Sequence, residues 1–309
     1  MTLTVRALRP DVTADTEGFA EVRRLALPYI LSTSDSVRHL ANRVHPDARL
    51  LPLVAEEDGE MIGTAQAYLA YDSPEPGLGC VNVFVRPDRT HRGAGGLLVQ
   101  AAEEHLAAQG ATRLLSWVLD EPANRAFAER RGYSSSRCAL FLRLDLANGT
   151  LPPLPDLPPG VELRTAADFM DDPRPLFELD AETVRDEPGD VATEFTDYDA
   201  WVEQSWKHPL LNRELTMAAV VDGRPVAFSV AYTDGHGHYA TAMTGTARAY
   251  RGRGLAKLAK VHSLYRARAA GVTEAFTGND TGNDPMIAIN KWLGYETCAT
   301  EVRYVRELG

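Results

Sequence analysis

The chain has 309 residues, 44% of them hydrophobic and 24% charged, the balance of a folded globular protein and enough for two domains of about 150 residues. A formal net charge of -11 with only four lysines among 32 basic residues excludes a nucleic-acid surface, which needs clustered cations against phosphate. Three scattered cysteines, Cys80, Cys138 and Cys298, have no CxxC spacing and imply neither a disulfide framework nor a metal site.

The first nine residues alternate polar and apolar side chains and lack a signal-peptide core, so Leu3 to Arg6 reads as an opening strand. No apolar run is long enough to cross a bilayer, and a cytoplasmic protein without a membrane partner is expected. An acidic, helix-compatible stretch follows, then a hairpin signal at Glu57, Asp58 and Gly59. Residues 80–85 alternate as a strand. They lead into a loop of Thr90, His91, Arg92, Gly93, Ala94, Gly95 and Gly96. Leu97, Leu98, Ala101, Ala102 and Leu106 then fall on one helical stripe capped by Gly110, and Arg131, Gly132 and Tyr133 close the segment.

Five of the eight residues 152–159 are proline, which forbids a helix or a central strand and favours a stiff connector. The same landmarks then return at an offset near 160. Val161 to Arg164 repeats the opening strand, Val221, Asp222 and Gly223 the hairpin, and residues 239–244 the strand before the loop. Arg251, Gly252, Arg253, Gly254, Leu255 and Ala256 repeat the glycine loop, with Leu258, Val261, Tyr265 and Ala269 as the next stripe and Gly271 as its cap. Leu293, Gly294 and Tyr295 repeat the close. The expected domains are residues 1–147 and 161–309, joined by a linker at 148–160.

Glycines between a strand and a helix let successive main-chain amides converge where the helix dipole is positive, a geometry suited to a diphosphate. Arg251 and Arg253, or Arg92 and His91 in the first half, supply charge partners. A P-loop is excluded because no GK[ST] follows, and Leu98 stands where a third Rossmann glycine belongs. Asn283 or Asp284 caps a helix begun by Pro285, with Met286, Ile289 and Leu293 as its buried stripe and Asn290 beside it.

The strand, the loop Arg251-x-x-Gly254-x-Ala256 and its helix resemble the acetyl-CoA signature of the GNAT superfamily of N-acyltransferases. The first half, Thr90-x-x-Gly93-x-Gly95, departs at its opening position. Thr277, Gly278, Asn279, Asn283, Met286, Asn290 and the Gly294, Tyr295 pair resemble the closing motif of tandem members, of which mycothiol synthase is a related two-domain example. Asp186, Glu187, Pro188 and Asp190 resemble an acidic loop of that branch.

The resemblance implies an α/β (α+β) fold of two GNAT-like domains, each a mixed, mostly antiparallel sheet flanked by helices. It also implies acetyl-CoA as cofactor and a small-molecule or peptide amine as acceptor. Cofactor contacts are expected from Gly245, Thr246 and Ala247, from Arg251 to Ala256, and from Asn279, Asn283 and Asn290. In the first half they are expected from Phe84, Val85, Arg92, Gly93, Ala94, Gly95 and Gly96. Two central strands splay in this fold, and an N–H near Thr246 would face the thioester oxygen.

An amine with a pKa near 10.4 must lose a proton before it attacks. Asp186 or Asp190 could bind or take it, as could His236 or His238. The tyrosine that many members place one turn before the closing glycine is replaced by Ala128 and Asn290. Tyr295 then remains as a group that could assist the leaving thiolate. The missing phenols leave a non-catalytic acyl-CoA-binding sensor or scaffold as the alternative, and the better preserved second loop favours catalysis in the second half.

Overall fold

The computed structural model describes residues 2–189 and 191–308. It divides into two compact units, Met1–Ala139 with Ala299–Gly309, and Leu140–Cys298. The first half of the chain runs β1 (Leu3–Ala7), α1 (Thr13–Ala26), α2 (Ser34–Arg43), β2 (Leu51–Glu57), β3 (Glu60–Leu69), β4 (Leu78–Val85), α3 (Ala94–Ala108), β5 (Arg113–Leu119), α4 (Pro122–Glu129) and β6 (Ser134–Asp145). The second repeats that order as β7 (Val161–Thr165), α5 (Arg174–Val184), α6 (Tyr198–Trp201), β8 (Met217–Val221), β9 (Arg224–Thr233), β10 (His238–Thr246), α7 (Leu255–Ala269), β11 (Glu274–Asp280), α8 (Asp284–Leu293) and β12 (Glu296–Glu307).

Both hairpin signals fold as read. Asp58 and Gly59 take φ of 51° and 87°, and Asp222 and Gly223 take 48° and 76°. Positive φ at both central positions is the two-residue turn whose twist matches its strands. In the first unit the strand order is β1-β2-β3-β4-β5-β12, and in the second β7-β8-β9-β10-β11-β6. β2 with β1 and β3, β3 with β4, β5 with β12, β8 with β7 and β9, and β9 with β10 pair antiparallel, while β4 with β5 and β10 with β11 pair parallel. Each is therefore the mixed, mostly antiparallel sheet that was expected.

The expected division at the linker is corrected. Residues 146–160 do lack helix and strand. The units, however, are not cut there, because the second half of β6 from Leu140 belongs to the second unit and β12 from Ala299 to the first. Alternating side chains announce a strand but do not say which sheet receives it.

In the first unit α3 lays Leu98, Ala102 and Leu106 on Ile62, Ala65 and Leu114. Leu97 is 41% exposed, so the stripe is narrower than its spacing suggested. In the second, α7 buries Val261, Leu264 and Ala267 against Tyr239 and Ala275, while Ala269 is exposed. Each buried leucine contributes about 1.5–3 kcal/mol. On the opposite face of the second sheet Leu176, Leu179, Trp201 and Trp206 pack on Ala218, Val220 and Phe228. This sheet is thus held rigid from both sides.

The parallel pairs stop short. β10 meets β11 from His238 opposite Glu274 to Thr241 opposite Thr277, yet the strands continue to Thr246 and Asp280. β4 meets β5 only from Leu78 opposite Arg113 to Cys80 opposite Leu115. A bulge between Thr241 and Met243 bends β10 where its parallel partner leaves it.

Candidate functional site

The gap between β10 and β11 is the first component of the site. Ala247 N donates to Val226 O at 2.8 Å, and Thr246 lies opposite Ala227. Hydrogen-bonded pairs alternate along an antiparallel ladder, so the main-chain groups of Thr246 and Thr244 point away from β9 into the gap. Thr246 O is met there by Arg251 Nε at 3.1 Å. The first unit repeats this phase: Arg86 N donates to Ile62 O at 2.9 Å, which turns Val85 toward its own gap and Phe84 toward β3. Gly245 has a packing reason. A Cβ there would lie 2.7 Å from Thr183 Cβ, so α5 crosses β10 directly over this residue.

The loop after β10 is the second component. A single helical turn at Arg248–Tyr250 precedes it, and Gly252 and Gly254 take φ of 75° and 74°. His91 and Gly93 repeat those angles at 62° and 96° after the turn Pro87–Arg89. Among the described residues, no main-chain carbonyl accepts from the amides of Gly252, Arg253 or Gly254. A Cβ at Gly252 or Gly254 would meet nothing within 4 Å. The turn is therefore open, with unpaired amides at the start of α7, as a diphosphate cradle requires. Leu255 is buried as the first residue of α7, with Ala256 half-buried beside it. Arg253 donates to Ala249 O at 3.4 Å and lies over the Tyr250 ring.

In the first unit the corresponding helix start is flanked by side chains. Phe127 Cζ lies 3.4 Å from a Cβ at Gly95, and an Arg131 nitrogen lies 3.0 Å from one at Gly96. Ala94 is buried, and Arg92 is held by Glu57 at 2.7 Å.

Several expected residues do other work. Asp186 is clasped by Arg248, at 2.7 and 2.6 Å, and by Arg251 at 2.5 Å. The two guanidiniums hold its carboxyl well below the usual carboxylate range. As a base it is corrected: its oxygens are engaged, and its protonated form is out of reach near neutrality. Tyr295 is corrected as well, being 3% exposed within the core of its unit, where burial drives the phenol well above its ordinary value. Asn290 is fully buried and donates to Asn279 Oδ1 at 2.5 Å, so it fastens α8 to the end of β11. Asn283 caps α8, accepting from Met286 N at 3.3 Å. His238 bonds Asp234 at 2.7 Å and, with His236, sits at the far end of β10, about 26 Å from Thr246 at ~3.3 Å per residue. Asp190 lies outside the described residues.

The third component was missed in the sequence. A cavity of about 220 Å³ lies beneath α5 and α6 against β9 and β10, and Ala242 and Met243 at the bulge form part of its wall. Trp201, Trp206, Phe195, Phe228 and Tyr232 supply aromatic surface. Asp180 is half-buried at its edge, with Oδ2 accepting from Trp201 Nε1 at 2.8 Å. Burial pushes its carboxyl up to about 6, against the opposing pull of that bond. The available signal was compositional: two of the four tryptophans and a run of aromatics fall between residues 195 and 206.

Comparison with known proteins agrees with this geometry. The profile of the Acetyltransferase (GNAT) family matches residues 17–133 and 175–295. A mycothiol acetyltransferase of Kineococcus radiotolerans is 30% identical over 260 residues, covering 84% of this chain and 82% of that protein. One from Acidothermus cellulolyticus is 28% identical over 236 residues, covering 72% and 70%. Among solved structures, a tandem GNAT protein from the clavulanic acid biosynthesis pathway superposes with a TM-score of 0.76 at 21% identity, covering 100% of this chain and 99% of that one. A GCN5-related N-acetyltransferase from Sphaerobacter thermophilus gives 0.70 at 20% identity, covering 99% and 95%.

Proposed function

The chain belongs to the GNAT family and is an acetyl-CoA acyltransferase, and from that premise we propose that it acetylates a primary amine, small molecule or peptide, at the site of its second unit. The observation that carries this reading is a meeting of three features on β10. The open cradle lies beyond its end, the main-chain groups of Thr244 and Thr246 turn from β9 toward the gap, and the cavity abuts its bulge.

Acetyl-CoA, when bound, supplies an acetyl group activated as a thioester. The amides of residues 252–256 and the guanidinium of Arg251 would hold its diphosphate. The main-chain groups of Thr244 and Thr246 would hold the pantetheine as an added strand and offer an N–H to the thioester oxygen. The sheet, packed on both faces, keeps these donors fixed, which is how such groups favour developing charge.

The first unit supports the assignment by contrast. Its loop is more closely flanked, since a Cβ at Gly93 would meet Leu3 at 3.5 Å where one at Gly254 meets nothing, and Arg92 is held by Glu57 at 2.7 Å. Isothermal calorimetry with acetyl-CoA tests the reading. Arg251→Ala combined with Gly254→Val, which forces a β-branched residue to positive φ, should weaken binding at least tenfold, and Thr90→Ala should change it less than twofold. Equal losses would move the site to the first unit. Binding without acceptor-dependent release of thiol would make the protein a sensor of acyl-CoA.

A further inference from the structure

The cavity beneath α5 and α6 has a chemistry of its own. Its apolar walls come from Leu176, Phe195, Trp206, Phe228 and Val230, and the aromatic faces are disposed as a stack, Trp201 and Trp206 lying 6.2 Å apart and 19° from parallel. Trp206, buried, ends the π-helical turn Val202–Trp206 that follows α6, an irregularity that recurs at functional sites. Set against this apolar surface is one half-buried carboxylate. Asp180 Oδ2 is fixed by the Trp201 indole, which leaves Oδ1 for a second donor.

An uncompensated carboxylate in such a place costs stability, and an ammonium is the partner that offsets it. The aromatic faces add cation–π attraction of about 0.5–2 kcal/mol. The polar groups of the wall, Asp180, Glu187, Ser205, Thr216 and Tyr232, are outnumbered by apolar ones, so a sugar with hydroxyls around its ring would lose more water than it regains in hydrogen bonds. At about 220 Å³ the space is also below the ~300–1,000 Å³ of drug-sized ligand sites.

Resting on the acetyltransferase reading, we propose that this cavity is selective for compact, apolar-bodied primary amines of the arylalkylamine class, whose ammonium is seated on Asp180 Oδ1 and whose ring lies against Trp206 and Phe228. Asp180 also receives the proton that must leave. One N–H bond of the ammonium breaks, its electron pair stays on nitrogen, and the proton joins the carboxylate and passes to solvent. The amine then forms its N–C bond as the acetyl C–S bond breaks, and a second proton follows the leaving sulfur. Burial supports the transfer, since it favours the neutral form of acid and amine alike.

The charged and titratable groups near Asp180 are few. Glu187 follows α5, Tyr232 of β9 faces it with His208 stacked on that ring, and Arg213 lies over Trp206. The carboxyl stands at about 6, so amine capture requires a pH above that value.

Two readouts test the proposal. The first is quenching of tryptophan fluorescence by 2-phenylethylamine without acetyl-CoA, and the second is acetyl transfer to 2-phenylethylamine and to D-glucosamine. The wild type should bind 2-phenylethylamine, lose that binding as pH falls through about 6, and acetylate it with a kcat/KM at least tenfold above that for glucosamine. Asp180→Asn should cut amine binding at least tenfold and leave acetyl-CoA affinity by calorimetry unchanged. Should Asp180→Asn fail to fold, Trp206→Leu should lower kcat/KM for 2-phenylethylamine and spare glucosamine. A preference for glucosamine, or unchanged amine binding in both variants, would overturn the proposal. Amine binding without transfer to any amine would instead sink the acetyltransferase reading and leave the pocket standing.

Discussion

At the scale of single residues, charge pairing separates the groups that react from those that hold. Asp180 lies one turn inside the end of α5 and Asp186 two residues beyond it, yet Arg248 and Arg251 clasp Asp186 while an indole and an apolar wall surround Asp180. Arg251 therefore has two anions to choose between, Asp186 in the free protein and a diphosphate in the complex. Replacing Asp186 by Asn removes the competitor. Acetyl-CoA should bind about threefold more tightly, with kcat unchanged within twofold, in calorimetry and a thiol-release assay. A loss of kcat beyond tenfold would return Asp186 to the chemistry. The loop residues were legible in the sequence, because closely spaced glycines between a strand and a helix mark a turn of positive φ, and Gly252 and Gly254 adopt it. Aspartates carry no comparable mark. Whether one is a base depends on which arginines and indoles the tertiary fold brings to it.

At the scale of elements, α5 connects the parts of the site. Its buried face carries Leu176 and Leu179 to the core, Asp180 and Val184 reach the cavity, and Thr183 rests on Gly245. One glycine of β10 thereby sets the height of the cavity roof. Gly245→Ala would drive a methyl to 2.7 Å of Thr183 Cβ and Oγ1, a backbone-supported contact that cannot be relieved by rotating a flexible side chain. It should cost about 1–3 kcal/mol of stability, read by denaturant unfolding. It should also raise KM for the amine more than KM for acetyl-CoA. Gly245→Ala combined with Thr183→Gly, which removes that Cβ altogether, should recover the loss in KM and the loss of stability apart from the about 1 kcal/mol that a helical glycine costs, and absence of that recovery would show that the contact is not the cause. Strands and hairpins were legible at this scale from alternation and from Asp-Gly pairs. The stripe of α7 was legible only in part. Buried positions run nearly around the helix, from Leu255 to Ala267, and include Lys260, which spacing alone would have placed in solvent.

At the scale of the whole molecule, the repeat was legible and its division was not. Sequence periodicity repeats the same element order on each side of a proline-rich linker, and the obvious cut falls at that linker. The compact units nevertheless assign the second half of β6 to the second sheet and Ala299–Gly309 to the first. A fragment of residues 1–150 would thus lack the strand whose Val302 and Tyr304 fill the core of the first unit. A fragment of residues 151–309 would lack Leu142, Leu144 and Leu146, which are 1–4% exposed in the core of the second. Losing three buried leucines removes about 4.5–9 kcal/mol of burial, comparable with the 5–15 kcal/mol that stabilises a typical domain. Residues 151–309 alone should therefore show no cooperative thermal transition and no binding of acetyl-CoA in calorimetry. Residues 140–298, which keep those leucines and the closing Tyr295, should melt cooperatively and bind it. If the fragment cut at the linker folds and the one cut at 140 and 298 does not, the sequence boundary is the physical one.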